Sequence, residues 1–96
     1  VEYQNDNIVV TEFRFGGSEM PQAFVLFNVE SGSEEQVLKD ARAIGGVKEA
    51  YISYGVYDLI IKVEEDSMEK LKEIVTHRLR ALKNVRSTLT LILLGE

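Results

Sequence analysis

Val29-Glu30-Ser31-Gly32-Ser33-Glu34-Glu35-Gln36-Val37 is answered 34 residues later by Val63-Glu64-Glu65-Asp66-Ser67-Met68-Glu69-Lys70-Leu71. Both stretches set Val-Glu first, then a serine, a glutamate and an aliphatic residue at the same offsets. In each copy an apolar run ends in acid, a serine stands where a helix should begin, and an apolar helix face follows. Strand–helix–strand repeated twice is the split βαβ plan. The expected architecture is therefore a ferredoxin-like α+β sandwich, βαββαβ, with a four-stranded antiparallel sheet.

Working outward, Ser33-Glu34-Glu35-Gln36 reads as a capping box, the serine hydroxyl taking one free N–H and Gln36 reaching back to another. Val37, Leu38, Ala41 and Ile44 then fall on one helical face. Gly45-Gly46 ends that helix, since glycine tolerates the left-handed cap. In the second copy Asp66 or Ser67 caps, acids cluster at the positive end, and Leu71, Ile74, Val75, Leu79 and Leu82 form the stripe. His77, Arg78, Arg80 and Lys83 gather near the far end, where the helix dipole favours cations.

Ala23 to Glu30 and Val85 to Leu94 read as the first and last strands of the repeat, with Asn84 as punctuation. Val47 to Tyr54 and Tyr57 to Val63 read as a hairpin around Gly55-Val56. Residues 1–22 differ in character: Ile8 to Phe15 is a strand-like arm, broken by Gly16-Gly17-Ser18 before Pro21. The expected division is an arm over 1–22 and a domain over 23–96.

Side chains alternate across a strand, and here both alternating sets are apolar. Two helices cover one face of a sheet. Phe24, Leu26, Tyr51, Ile60, Ile92 and Leu94 are expected on the other, where Thr88 and Thr90 would join them. Such a patch needs a cover, and a second copy of the same sheet is the simplest one. Size agrees: 96 residues make one thin-cored domain, and with no Cys a partner subunit is the available supplement.

Composition excludes several classes. Eleven basic against sixteen acidic residues give a net charge of −5, ill suited to neutralising phosphates. The longest wholly apolar run, Leu91 to Leu94, is far short of a membrane span. A single His and no Cys leave no zinc set, and no metal or other cofactor is expected. Glu64-Glu65-Asp66 is read as helix-end acids, and Arg78 to Arg86 as helix-end cations. No secretory signal opens the chain, so a cytoplasmic location is expected, while Val1 in place of an initiator Met suggests trimming.

Two short stretches remain for chemistry. Ser53-Tyr54-Gly55-Val56-Tyr57-Asp58 is a hairpin in which Gly55 supplies a positive φ. Asp58 heads the apolar run Leu59-Ile60-Ile61, where a carboxylate needs a partner. That partner is either a neighbouring N–H or the ammonium of a bound ligand. Ser87-Thr88-Leu89-Thr90 places hydroxyls suited to a small zwitterion's carboxylate, although Thr is also an ordinary strand residue.

With those residues in view, positions 23–94 resemble the ligand-binding domain of the Lrp/AsnC regulators, also called the RAM domain. Tyr54-Gly55-Val56-Tyr57-Asp58 and Val85-Arg86-Ser87-Thr88-Leu89-Thr90 carry the resemblance. It implies sheet-to-sheet dimers, rings of dimers such as octamers, and amino-acid effectors at subunit contacts. The implied ligand contacts are Tyr54, Gly55, Val56, Tyr57, Asp58, Thr88 and Thr90. Full-length members carry a helix-turn-helix first. Residues 1–22 are too short and strand-like for one, so the likeness is to stand-alone members, without direct nucleic-acid binding.

The leading expectation is a non-enzymatic amino-acid-sensing and oligomerisation module. Its rivals are a small dimeric α/β-barrel enzyme of the monooxygenase sort, and a structural partner in mixed oligomers with full-length regulators. The enzyme needs a protonatable group inside the barrel, whereas the only His falls on a helix.

Overall fold

A computed structural model describes residues 6–12 and 20–94. In chain order the elements are β1 (Asp6–Glu12), β2 (Gln22–Val29), α1 (Glu34–Arg42), β3 (Val47–Ile52), β4 (Leu59–Glu64), α2 (Met68–Glu73) and β5 (Val85–Leu94). The repeat thus folds as βαββαβ. β2 runs antiparallel to both β4 and β5, and β3 antiparallel to β4. β1 adds a fifth strand on the outer edge, parallel to β5, giving the order β1-β5-β2-β4-β3. The arm's strand therefore belongs to the sheet. Its expected end, Phe13 to Phe15, and the Gly16-Gly17-Ser18 break lie outside the described residues.

The two helix starts differ from each other. Ser67 caps α2, its hydroxyl accepting from the Lys70 N–H at 3.2 Å. Ser33 makes no such bond, and Gln36 instead donates to Asp40 at 2.9 Å, so the expected capping box does not form. α2 continues through Ile74–Leu79 as a π-helix. There the Thr76 hydroxyl donates to the Lys72 carbonyl at 2.6 Å, occupying the acceptor that an α-helical ladder would use. Leu71, Ile74, Val75 and Leu79 still all reach the core, and Leu82 packs against it half-buried.

That core lies between the helices and one sheet face. Ala23, Val25, Phe27 and Val29 from β2 meet Leu59, Ile61 and Val63 from β4, with Val37 and Ala41 of α1 above them. Pairing registers assign β5 to faces: Ala23 sits opposite Ile92, Val25 opposite Thr90, and Phe27 opposite Thr88. Ile92, Thr88 and Thr90 thus point toward the helices, and all three are buried. This corrects the expected placement of Ile92 and the two threonines on the uncovered face. Alternation sorts β5 into two sets, and both are apolar enough to be the inner one. The side chain of Leu94 lies outside the described residues.

The uncovered face instead carries Phe24 and Leu26 from β2, opposite Leu91 and Leu89 of β5, and Ile60 opposite Leu26. All five are half-buried. Tyr51, opposite Ile60, extends this face to the β3 edge and is 54% exposed. Its hydroxyl donates to Glu49 at 2.9 Å. That bond and the adjacent negative charge hold the phenol above its ordinary pKa. Among the described residues no helix is long and apolar enough to cross a membrane.

Candidate functional site

Pairing between β2 and β4 stops at Phe27 and Leu59. Val29 therefore lies past the end of β4, with no strand partner on that side for its N–H. Asp58 fills the gap: its Oδ2 accepts from the Val29 N–H at 2.9 Å. Its own N–H donates to the Phe27 carbonyl at 2.7 Å, and its carbonyl accepts from the Ser53 N–H at 2.7 Å. One residue thus closes the hairpin and splices it to β2. Of the two partners open to this carboxylate, the neighbouring N–H takes one oxygen. Oδ1 makes no hydrogen bond among the described residues.

The strands on either side stop sooner than expected, β3 at Ile52 and β4 at Leu59, so the connection is a six-residue loop, 53–58. Its tip is apolar and bare: Tyr54 is 98% exposed and Val56 82%. Between them Gly55 has φ 159°, and a Cβ there would meet nothing within 4 Å. Tyr57 is half-buried. Nothing within the described chain covers this tip.

On the other side of β2, the ladder to β5 pairs Asn28 with Ser87 and then Val29 with Val85, leaving Arg86 out of step. A bulge of this kind gives one strand an extra residue and re-aims its side chain. The Asn28 amide donates to the Ser87 hydroxyl at 3.1 Å across this irregularity. Asn28, Asp58, Arg86 and Ser87 together line a surface depression of about 420 Å³, within the range of roughly 300–1,000 Å³ usual for small-molecule sites. Asn28 and Ser87 continue the uncovered face one pair beyond Leu26 and Leu89, so the depression sits at its rim.

Thr88 and Thr90 do not reach this depression. They are 4% and 0% exposed beneath the helices, and Thr90 Oγ1 has no hydrogen-bond partner among the described residues. The expected site is therefore divided, with Asp58 and the hairpin tip at the surface and the threonines inside. Sequence reasoning did not place Asn28, read Arg86 as a helix-end cation, and singled out the Ser87 stretch for its hydroxyls without counting Ser87 among the ligand contacts. Asn28 was the available signal, a polar residue interrupting an apolar strand. Its meaning depends on Ser87, 59 positions away, and on the bulge beside it.

His77 stands far from any nucleophile's role: exposed on the π-helical segment, its Nε2 lies 3.8 Å from Glu73 Oε1. No group of three or more metal-ligating side chains occurs among the described residues.

Comparison with known proteins bears on the family and the fold. The sequence pattern described as the Lrp/AsnC ligand binding domain matches residues 22–96. A helix-turn-helix-type transcriptional regulator of Pyrococcus furiosus is 34% identical over 73 residues, which cover 73% of this chain and 49% of the relative. The chain thus spans about half the length of the curated relatives it matches. A hypothetical protein of Pyrococcus horikoshii, solved as a crystal structure, superposes with a TM-score of 0.72 at 40% identity, covering 76% of this chain and 88% of that one. A Neisseria meningitidis transcriptional regulator, solved as a complex with L-Met, shares the fold at 17% identity and a TM-score of 0.66, covering 79% and 51%.

Proposed function

The chain belongs to the Lrp/AsnC ligand-binding domain family, and from that membership we propose that it is a non-enzymatic effector module that binds a small amino acid and assembles with copies of itself. The observation that carries this reading is the depression at Asp58. It joins a carboxylate with a free oxygen to the rim of an apolar sheet face, next to a bare Tyr54–Val56 tip.

Asp58 Oδ1 is the partner for the ligand ammonium in this proposal. Tyr54, Gly55, Val56 and Tyr57 wall the ligand once a second subunit covers the tip. The L-Met complex of the Neisseria regulator supports an amino acid as the class of ligand. Dimers form through Phe24, Leu26, Ile60, Leu89 and Leu91, and pairs of dimers close over the hairpin tips. A catalytic reading finds less support, because the only His is exposed on a helix beside Glu73. Mixed assembly with full-length regulators would use the same sheet face.

Thermal unfolding with each proteinogenic amino acid tests the proposal. A ligand at 100 times its Kd adds about 2.7 kcal/mol and raises the Tm. A flat response from every amino acid at millimolar concentration, confirmed by calorimetry, overturns the sensing role.

A further inference from the structure

We propose that Arg86, seated on the β5 bulge, is the carboxylate-binding residue of the site whose ammonium-binding residue is Asp58, so that the depression selects zwitterionic α-amino acids over amines and over simple acids. This deepens the effector-binding reading and rests on it. Three observations carry it. First, Arg86 and Asp58 line the same depression. Second, they are not ion-paired with each other, and Arg86 makes no hydrogen bond or ion pair among the described residues. Two opposite charges that share a hollow without meeting leave room for a ligand carrying the complementary pair. Third, Arg86 owes its position to a break in the ladder, because Asn28 pairs with Ser87 and Val29 with Val85. In an unbroken ladder Arg86 would sit opposite a residue of β2.

The remaining lining groups fit the same ligand. Ser87 Oγ accepts from the Asn28 amide at 3.1 Å, which leaves the hydroxyl proton available to donate. A guanidinium with a neighbouring hydroxyl donor suits a carboxylate, since arginine presents paired N–H groups in a planar fork. An amine alone would satisfy Asp58 and meet the positive charge of Arg86. A simple acid would do the reverse. Thr88 and Thr90, buried under the helices, are not needed for this geometry.

The test compares wild type with Arg86→Met, which keeps the aliphatic stem and removes the charge, and with Lys83→Met as a control for net charge. Each is titrated calorimetrically with the L-amino acid that most raises the wild-type Tm, and with the amine that lacks its α-carboxylate. The expected result is a loss of about tenfold or more in amino-acid affinity for Arg86→Met, with amine binding undiminished and Lys83→Met near wild type. Equal amino-acid affinity in wild type and Arg86→Met overturns the assignment of Arg86 and leaves effector binding standing. A wild-type protein that binds no amino acid overturns both. Arg86 is exposed, so the variant is expected to fold, which circular dichroism checks.

Discussion

Asp58→Asn and Asp58→Ala remove different things. The asparagine keeps a side-chain oxygen for the Val29 N–H and loses only the charge, whereas the alanine leaves that N–H without its partner. An orphaned, part-buried donor costs about 1–3 kcal/mol. Urea melts should therefore show Asp58→Ala destabilised by about that much and Asp58→Asn by distinctly less. Amino-acid affinity should fall in both, by about two decades in the alanine. If affinity survives Asp58→Asn unchanged, Asp58 serves the loop alone. Thr90 is the opposite case, since its hydroxyl is buried with no partner. Replacing an unsatisfied buried hydroxyl by a methyl of similar shape removes a desolvation cost of about 1–3 kcal/mol without opening a cavity. Thr90→Val should thus match or exceed wild-type stability and keep its affinity. A tenfold loss of affinity at unchanged stability would return Thr90 to the binding site.

At the scale of elements, the turn from α1 into β3 is a tight joint. Gly46 has φ 97°, and a Cβ there would lie 2.5 Å from Ile74 Cδ1 and 2.6 Å from Glu65 Oε2. Gly32 has φ 86° with nothing within 4 Å, so it isolates the backbone contribution. Left-handed backbone costs an L-residue about 1–2 kcal/mol. Gly32→Ala should lose about that much in chemical denaturation, and Gly46→Ala clearly more, because the α2 face must also give way. Equal losses would show that Ile74 and Glu65 move aside freely. Gly46 was readable as a helix stop, but not as a contact with the second helix. The same limit runs through the rest of the fold. Local signals placed both helices, the repeat strands and the hairpin, because apolar period and turn residues are written within a few residues. Which face of β5 turns inward is not written there: Thr88, Thr90 and Ile92 alternate with Leu89, Leu91 and Leu93, and only pairing with Val25 decides between them. For the site, Asp58 was legible as a carboxylate in want of a partner. Arg86 was not, because a bulge exists only relative to the neighbouring strand.

For the whole molecule, the sheet has one face under helices and one that no described helix covers, and the correction at Ile92 changes how assembly must be probed. Leu26 is half-buried on the uncovered face, between Ile60 and Leu89. Ile92 is 5% exposed on the inner one. A charge introduced at each should have separate consequences. Leu26→Asp places a carboxylate in the proposed dimer interface, where no partner on β4 or β5 is basic at the opposing position. In the monomer the same carboxylate retains access to water. That variant should keep its circular dichroism and show a smaller mass than wild type by light scattering at micromolar concentration. Ile92→Asp buries the charge within the core, where an unpaired carboxylate is costly enough to outweigh the few kcal/mol of stability a small domain has. It should lose its folded signal altogether. Glu35→Ala, on the exposed surface of α1, should leave mass and fold alone. A wild-type protein that is monomeric at micromolar concentration would remove the sheet-to-sheet assembly. It would also leave the Tyr54–Val56 tip without the subunit that the effector site requires.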